Sequence, residues 1–210
     1  MYTIKPIDPL TATDDDFATA LTYSNLIRSE LFPDDPPRTL AVLEKSWQEM
    51  MNFKREKTLG WSVLHGNEQV GALWAFVEFY EDNRHLMSIE LNVLKEHRHK
   101  GIAKQLLELA LNVAEEEKRT HIISWTHSTI PGGATFAERT GAKRGLEGHI
   151  NQLELNRLDK TLISQWLNEA KYKAKDFSLD FWTIVIIRTV REHAPTTHVT
   201  RSPDSRHVCC

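Results

Sequence analysis

Apolar and polar positions alternate with a period of two along Val70 to Tyr80 and again along Leu86 to Leu94, and each run predicts a strand. In the first, Leu73, Ala75, Val77 and Phe79 share one face, while Trp74, Phe76, Glu78 and Tyr80 share the other. In the second, Met87, Ile89, Leu91 and Val93 point one way, and Ser88, Glu90 and Asn92 the other. Past Gly101 the period lengthens. Ile102, Ala103, Leu106, Leu107, Ala110, Val113 and Ala114 recur at helical spacing, with Lys104, Gln105, Glu108 and Asn112 on the wet side.

The rest of the chain reads by the same rules. Tyr2 to Ile7 predicts a first strand, stopped by Pro9. Thr13-x-x-Asp16 marks a helix start, followed by Phe17, Leu21, Ser24, Ile27 and Leu31 until Pro33. A second helix is predicted over Thr39 to Lys54, with Leu40, Leu43 and Trp47 inward. Leu59 to His65 forms a hairpin with the Val70 strand through Gly66 to Gln69. His121 to His127 reads as another strand, Gly133 to Thr140 as a short helix ended by Gly141, and Arg144 to Leu155 as closing strand material. The order β, α, α, β, β, β, α, β, α, β predicts a mixed α/β (α+β) domain over residues 1–155.

Beyond 155 the character changes. Asp159 is a helix N-cap, with Leu162, Trp166, Ala170 and Ala174 on one face of the helix it opens. Phe177, Leu179 and Phe181 alternate as a strand, so 156–183 is an appended helix and strand. Residues 184–210 begin with the apolar Ile184 to Ile187 and turn polar without periodicity, which predicts a disordered tail.

Composition narrows the function classes. An apolar content of 40% supports a real core in a 210-residue chain, and a net charge of −3 argues against a dedicated nucleic-acid binder. The two cysteines are adjacent at the C-terminus, so no disulfide framework is predicted. With no apolar leader and no membrane-length apolar run, cytoplasmic localisation is expected. His97, His99, His121, His127 and His149 have no metal-ligand spacing, and no metal is expected.

The chemistry concentrates in Glu90 to Ala103. A strand leads through a basic turn, Arg98-x-x-Gly101-x-Ala103, into a helix whose first amides lack intrahelical acceptors. Glycine allows close backbone approach, so the stretch predicts an anion site. One glycine is too few for the dinucleotide fingerprint, and no Gly-Lys-Ser/Thr marks a Walker loop.

Leu91-x-Val93 followed by Arg98-x-x-Gly101-x-Ala103 resembles the acyl-CoA signature of the GNAT superfamily of N-acetyltransferases, and the element order resembles that fold over about residues 1 to 155. The resemblance implies a central, mostly antiparallel twisted sheet with helices on both faces and a bulge that splays two strands. It implies acetyl-CoA as co-substrate. The backbone of Leu91, Asn92 and Val93 would take the pantetheine arm, and that of Arg98, His99, Lys100, Gly101, Ile102 and Ala103 the pyrophosphate. Glu90, partly buried between strands, is the candidate general base. The family's proton-donating Tyr falls on Ala137 when aligned on Gly141, and Tyr80 is a candidate substitute. Residues 156–183 resemble the junction of tandem GNAT proteins such as the mycothiol synthase-like group, as if a second lobe had been cut short. The expected activity is transfer of acetyl to a small-molecule amine by direct attack in a ternary complex. The alternative is a catalytically silent lobe that binds acyl-CoA or docks a partner lobe. No nucleic-acid or membrane partner is expected, and the resemblance leaves room for a homodimer.

Overall fold

A computed structural model describes residues 1–53 and 55–177. The chain divides into two compact units, the first Met1–Gly145 and the second beginning at Leu146. In the first unit β1 (Tyr2–Ile7), β2 (Glu56–His65), β3 (Glu68–Glu78), β4 (Leu86–Val93) and β5 (His121–Ser124) form one sheet in chain order. The first four strands pair antiparallel, and β5 pairs parallel to β4. The helices are α1 (Asp14–Leu31), α2 (Leu40–Met51), α3 (Ile102–Glu116) and α4 (Pro131–Arg139). This is the mixed α/β fold that the element order predicts, with the mostly antiparallel sheet that the resemblance implies.

The alternation along β3 and β4 builds the two layers. Leu73, Ala75, Val77 and Met87 are wholly buried, with Ile89 and Val93 nearly so, and the apolar stripe of α3 (Ile102, Leu106, Ala110, Val113) completes that core. The opposite face carries Ala72, Trp74, Glu90 and Asn92, and α1 and α2 lie over it. There Trp47 of α2 meets Trp74 edge-on at 5.7 Å, and Phe17 of α1 stacks on Trp47 at 5.0 Å. Gly60 makes room for this: a Cβ there would stand 2.5 Å from the Trp74 ring. Any larger residue at position 60 displaces the indole.

Local cap chemistry sets α1. Thr13 and Asp16 form a reciprocal capping box, with Asp16 N–H donating to Thr13 Oγ1 at 3.2 Å and Thr13 N–H to Asp16 Oδ2 at 2.9 Å. The Thr13 bonds hold the Asp16 carboxyl below its ordinary range. Its contribution is therefore present above the usual carboxylate pKa and lost as pH falls through the lowered value. Thr13→Ala removes the cap and is expected to cost about 1 kcal/mol, read as a lower urea midpoint with unchanged slope.

Two expectations need correction. The last strand of the sheet ends at Ser124 instead of His127. Residues 142–154 form no strand; Gly145 and Gly148 weaken any extended run there, and a lone strand without a partner is not stable. The second unit contributes α5 (Lys160–Lys173), capped by Asp159, whose carboxylate accepts from the N–H groups of Thr161 and Leu162 as its sequence predicts. The strand expected at Phe177 to Phe181 and the tail at 184–210 lie outside the described residues, apart from Phe177, which belongs to no element.

Candidate active site

The site is a split in the sheet. β4 and β5 are paired from Leu86↔His121 to Ile89↔Ser124, and no further. Beyond that point β4 continues to Val93 with β3 on one side only, through Trp74↔Glu90, Leu73↔Leu91, Ala72↔Asn92 and Gly71↔Val93. Backbone groups of a strand point alternately to its two neighbours, so the segment Glu90–Val93 turns amides and carbonyls with no strand partner to the gap. The expected bulge is not in β4: its pairing with β3 is regular, and the register shift falls between Val63 and Leu64 of β2. The gap opens because β5 departs. After Ser124 the chain turns, with Ile130 N–H bonded to the His127 carbonyl at 3.0 Å and Pro131 starting α4.

At the end of β4 a short 3-10 turn, Lys95–His97, leads into the basic turn. His99 and Gly101 both take positive φ, 60° and 81°. For histidine that is an uncommon conformation, and such strain gathers where backbone amides are aimed at a ligand. Gly101 is the N-cap of α3 without any side-chain cap, and the first helical bond is Gln105 N–H to its carbonyl at 3.2 Å. The amides of Ile102, Ala103 and Lys104 therefore precede the ladder. A Cβ at Gly101 would meet nothing within 4 Å, so the backbone there borders open space. This arrangement can hold a phosphate or pyrophosphate group.

Arg98 does something other than the sequence suggests. Its guanidinium points inward, donating Nε to the Val93 carbonyl at 2.9 Å and both terminal nitrogens to the Glu30 carboxylate of α1 at 2.7 and 2.5 Å. Its own amide donates to the Lys95 carbonyl at 3.3 Å. Arg98 is thus a brace between turn, strand and helix, and its charge is neutralised by Glu30. A second tie stands beside it: the buried Tyr23 of α1 donates its hydroxyl to the Asn92 carbonyl at 3.0 Å, and burial pushes that phenol's pKa up. Under the turn, His97 accepts or donates at Nδ1 with the Tyr2 hydroxyl at 3.0 Å and packs against His65. The sequence predicts neither tie to α1. The spacing of 68 and 69 residues between partners leaves no local signal.

The candidate proton carriers come out unevenly. Glu90 lies on the α1 side of the sheet across from Trp74, and it is exposed instead of partly buried, because the gap beside it is open. Leu91 and Asn92 are half-buried and Val93 buried, while His99, Lys100 and Gly101 are exposed, Ile102 buried and Ala103 half-buried. Tyr80 is not brought to the site. It lies six residues beyond Trp74 along the β3 direction, roughly 20 Å away, next to the start of β4, and the guanidinium of Arg55 sits over its ring at 5.5 Å. The antiparallel turn between β3 and β4 carries it to the far end of the sheet. Among the described residues no group of three or more His, Cys, Asp or Glu could hold a metal ion, and no helix is long and apolar enough to cross a membrane.

The split and the turn lie within a stretch that a family model matches. Residues 21–141 fit the model of the acetyltransferase (GNAT) family. The chain belongs to this family. Solved structures with the same fold include an aminoglycoside acetyltransferase from an uncultured soil metagenomic sample, in complex with sisomicin. It is 17% identical at a TM-score of 0.54, over 73% of this chain and 97% of that one. A transcriptional regulator from Bacillus halodurans C-125 is 19% identical at a TM-score of 0.56, over 73% and 100%. The aminoglycoside N-acetyltransferase AAC(6')-Iy in complex with CoA is 14% identical at 0.50, over 73% and 95%. No curated protein matches the chain. Membership of the GNAT family makes the protein an N-acetyltransferase by class.

Proposed function

We propose that the protein transfers acetyl from acetyl-CoA to the amine of a small molecule by direct attack in a ternary complex. The observation that carries this reading is the continuity of the β4–β5 split with the open amides of His99 to Ala103. The pantetheine arm would run along Leu91, Asn92 and Val93 as a surrogate strand, and the thioester carbonyl would accept from an unpaired amide there. The pyrophosphate would rest on the turn and the N-terminus of α3, with Lys100 and Lys104 adding charge and Arg98 holding the frame. The CoA complex among the similar folds supports the donor, and the aminoglycoside complexes support an amine acceptor.

Glu90 would take the proton that the attacking nitrogen sheds, directly or through water. Its neighbour across the sheet, Trp74, is half-buried and pinned by Trp47, so the Glu90 residue stands beside an aromatic wall on the α1 face of the sheet. Such a pairing attracts a cationic amine. No acyl-enzyme is needed, because the amine reaches the thioester itself. Glu90→Gln is expected to lower kcat by about 100-fold and to flatten the acidic limb of its pH profile while sparing acetyl-CoA affinity. Unchanged kinetics would remove Glu90 from the reaction.

The test is thiol release from acetyl-CoA across a panel of aminoglycosides, polyamines and arylalkylamines. Release that requires both protein and amine is the expected result. One observation favours a second reading: Ala137 stands where the family's proton-donating Tyr falls. A silent lobe, such as half of a tandem protein, would bind acetyl-CoA and release thiol with none of the amines.

A further inference from the structure

The register of the sheet decides which backbone groups of β4 face the split. Leu94 N–H donates to the Val70 carbonyl at 2.9 Å, in line with the antiparallel pairs Ala72↔Asn92 and Trp74↔Glu90. Glu90 and Asn92 therefore turn their amides and carbonyls to β3, and Leu91 and Val93 turn theirs to the gap. One of these four groups is taken, because the Val93 carbonyl accepts Arg98 Nε at 2.9 Å. Two donors remain, Leu91 N–H and Val93 N–H. They differ in what stands behind them. The Glu90 carbonyl, behind the Leu91 N–H, faces Trp74 in the ladder. The Val93 N–H shares its peptide group with the Asn92 carbonyl, and that carbonyl accepts the Tyr23 hydroxyl of α1 at 3.0 Å. The Ala72 N–H bonds the same hydroxyl oxygen.

We infer that Tyr23 is a positioning residue for the proposed acetyl transfer, on which this assignment rests: its hydroxyl fixes and polarises the peptide group whose Val93 N–H receives the thioester oxygen. A hydrogen bond accepted at a carbonyl draws electron density from the nitrogen of the same peptide, and the N–H on the far side becomes a stronger donor. Negative charge grows on the thioester oxygen as the amine adds to the carbonyl carbon, so a stronger and fixed donor counts most at that moment. Tyr23 suits a fixed role. It is 7% exposed and packs in the core that Ile27, Ala72 and Val93 share. Burial keeps the phenol neutral, so it stays a donor and moves no proton. It touches no reacting atom and acts only through the Asn92–Val93 peptide. The bond from Arg98 is not equivalent. It polarises the next peptide, whose Leu94 N–H is already spent on Val70.

The experiment reads the carbonyl stretch of acetyl-CoA, isotope-labelled at its acyl carbon and bound to the full chain without an amine, by infrared difference spectroscopy. In the wild type the stretch is expected below that of free acetyl-CoA, and Tyr23→Phe should return it part of the way. Acetyl-CoA affinity should stay within about twofold, because the bond strengthens chiefly in the transition state. One polarising bond adds about 10–30% to its neighbour, and a whole oxyanion donor is worth about 100- to 1,000-fold in kcat. With an accepted amine, Tyr23→Phe is therefore expected to lower kcat about two- to eightfold and to leave the shape of the pH profile unchanged. Ile27→Ala loosens the same part of α1 but keeps the hydroxyl, and should leave the stretch in place. The same stretch in wild type and Tyr23→Phe would overturn the inference. An equal shift in Ile27→Ala would overturn it too, by making Tyr23 a packing residue. Failure of acetyl-CoA to bind the wild type would remove the proposed function along with it. If Tyr23→Phe does not fold, difluorotyrosine at position 23 takes its place. As a stronger donor of similar size it should lower the stretch further, and an unmoved stretch would again overturn the inference.

Discussion

Gly101→Val is expected to abolish measurable binding of acetyl-CoA, with an affinity loss of at least about 100-fold. Two effects combine. At φ 81° a β-branched residue is strained, which favours a flipped turn in which the amides of His99 to Ala103 no longer converge. Losing two charge-assisted hydrogen bonds at about 1.5–3 kcal/mol each then accounts for the factor. Space is not the cause, because a Cβ at position 101 meets nothing within 4 Å. Gly101→Ala therefore serves as a graded control: it carries a smaller conformational cost of about 1–2 kcal/mol and a loss of about tenfold. Titration calorimetry on the two variants checks both values. Equal affinity in Gly101→Val and the wild type would show that the turn does not hold the ligand.

The second large effect is expected at Arg98. Arg98→Ala removes a bidentate ion pair and the bond to the Val93 carbonyl, and leaves Glu30 part-buried without its partner. The side chains of Arg98 and Glu30 are 23% and 28% exposed, so screening is incomplete and the expected loss is about 2 kcal/mol. It is read from the urea midpoint. Glu30→Ala should cost a similar amount, and the double variant much less than the sum, because both single changes break one interaction. Arg98→Lys keeps the charge but not the fork, and should recover only part. Acetyl-CoA binding is expected to weaken about tenfold in Arg98→Ala, since the turn loses its anchor to β4 while its amides remain. A strictly additive double variant would mean that the pair is decorative.

How far the chain can be read in advance follows from the range of each interaction. The capping box of Thr13 and Asp16 and the cap at Asp159 are made within three residues, and both are legible. The buried faces of β3 and β4 are legible too, because a period of two assigns each side chain to a face. The strand, turn and helix around Gly101 are readable from the glycine and the period behind it. Long-range ties are not: nothing near Glu30 or Tyr23 announces that their partners are Arg98 and the Asn92 carbonyl. The inward turn of Arg98 follows from those ties, which is why it reads as one more cation. Periodicity places Tyr80 on a face, but its distance along the hairpin sets it apart from the site. Exposure of Glu90 depends on where β5 leaves the sheet, and the apolar run through Ile123 and Trp125 gives no sign of the break after Ser124.

We propose that the β4–β5 split and the turn at Gly101 form one acyl-CoA site. Calorimetric titration of the full chain with acetyl-CoA tests it most directly. One binding event per chain is expected, with a dissociation constant in the range of about 1 μM to 1 mM, competed by CoA and absent in Gly101→Val. No heat of binding with acetyl-CoA or any other CoA thioester would contradict it.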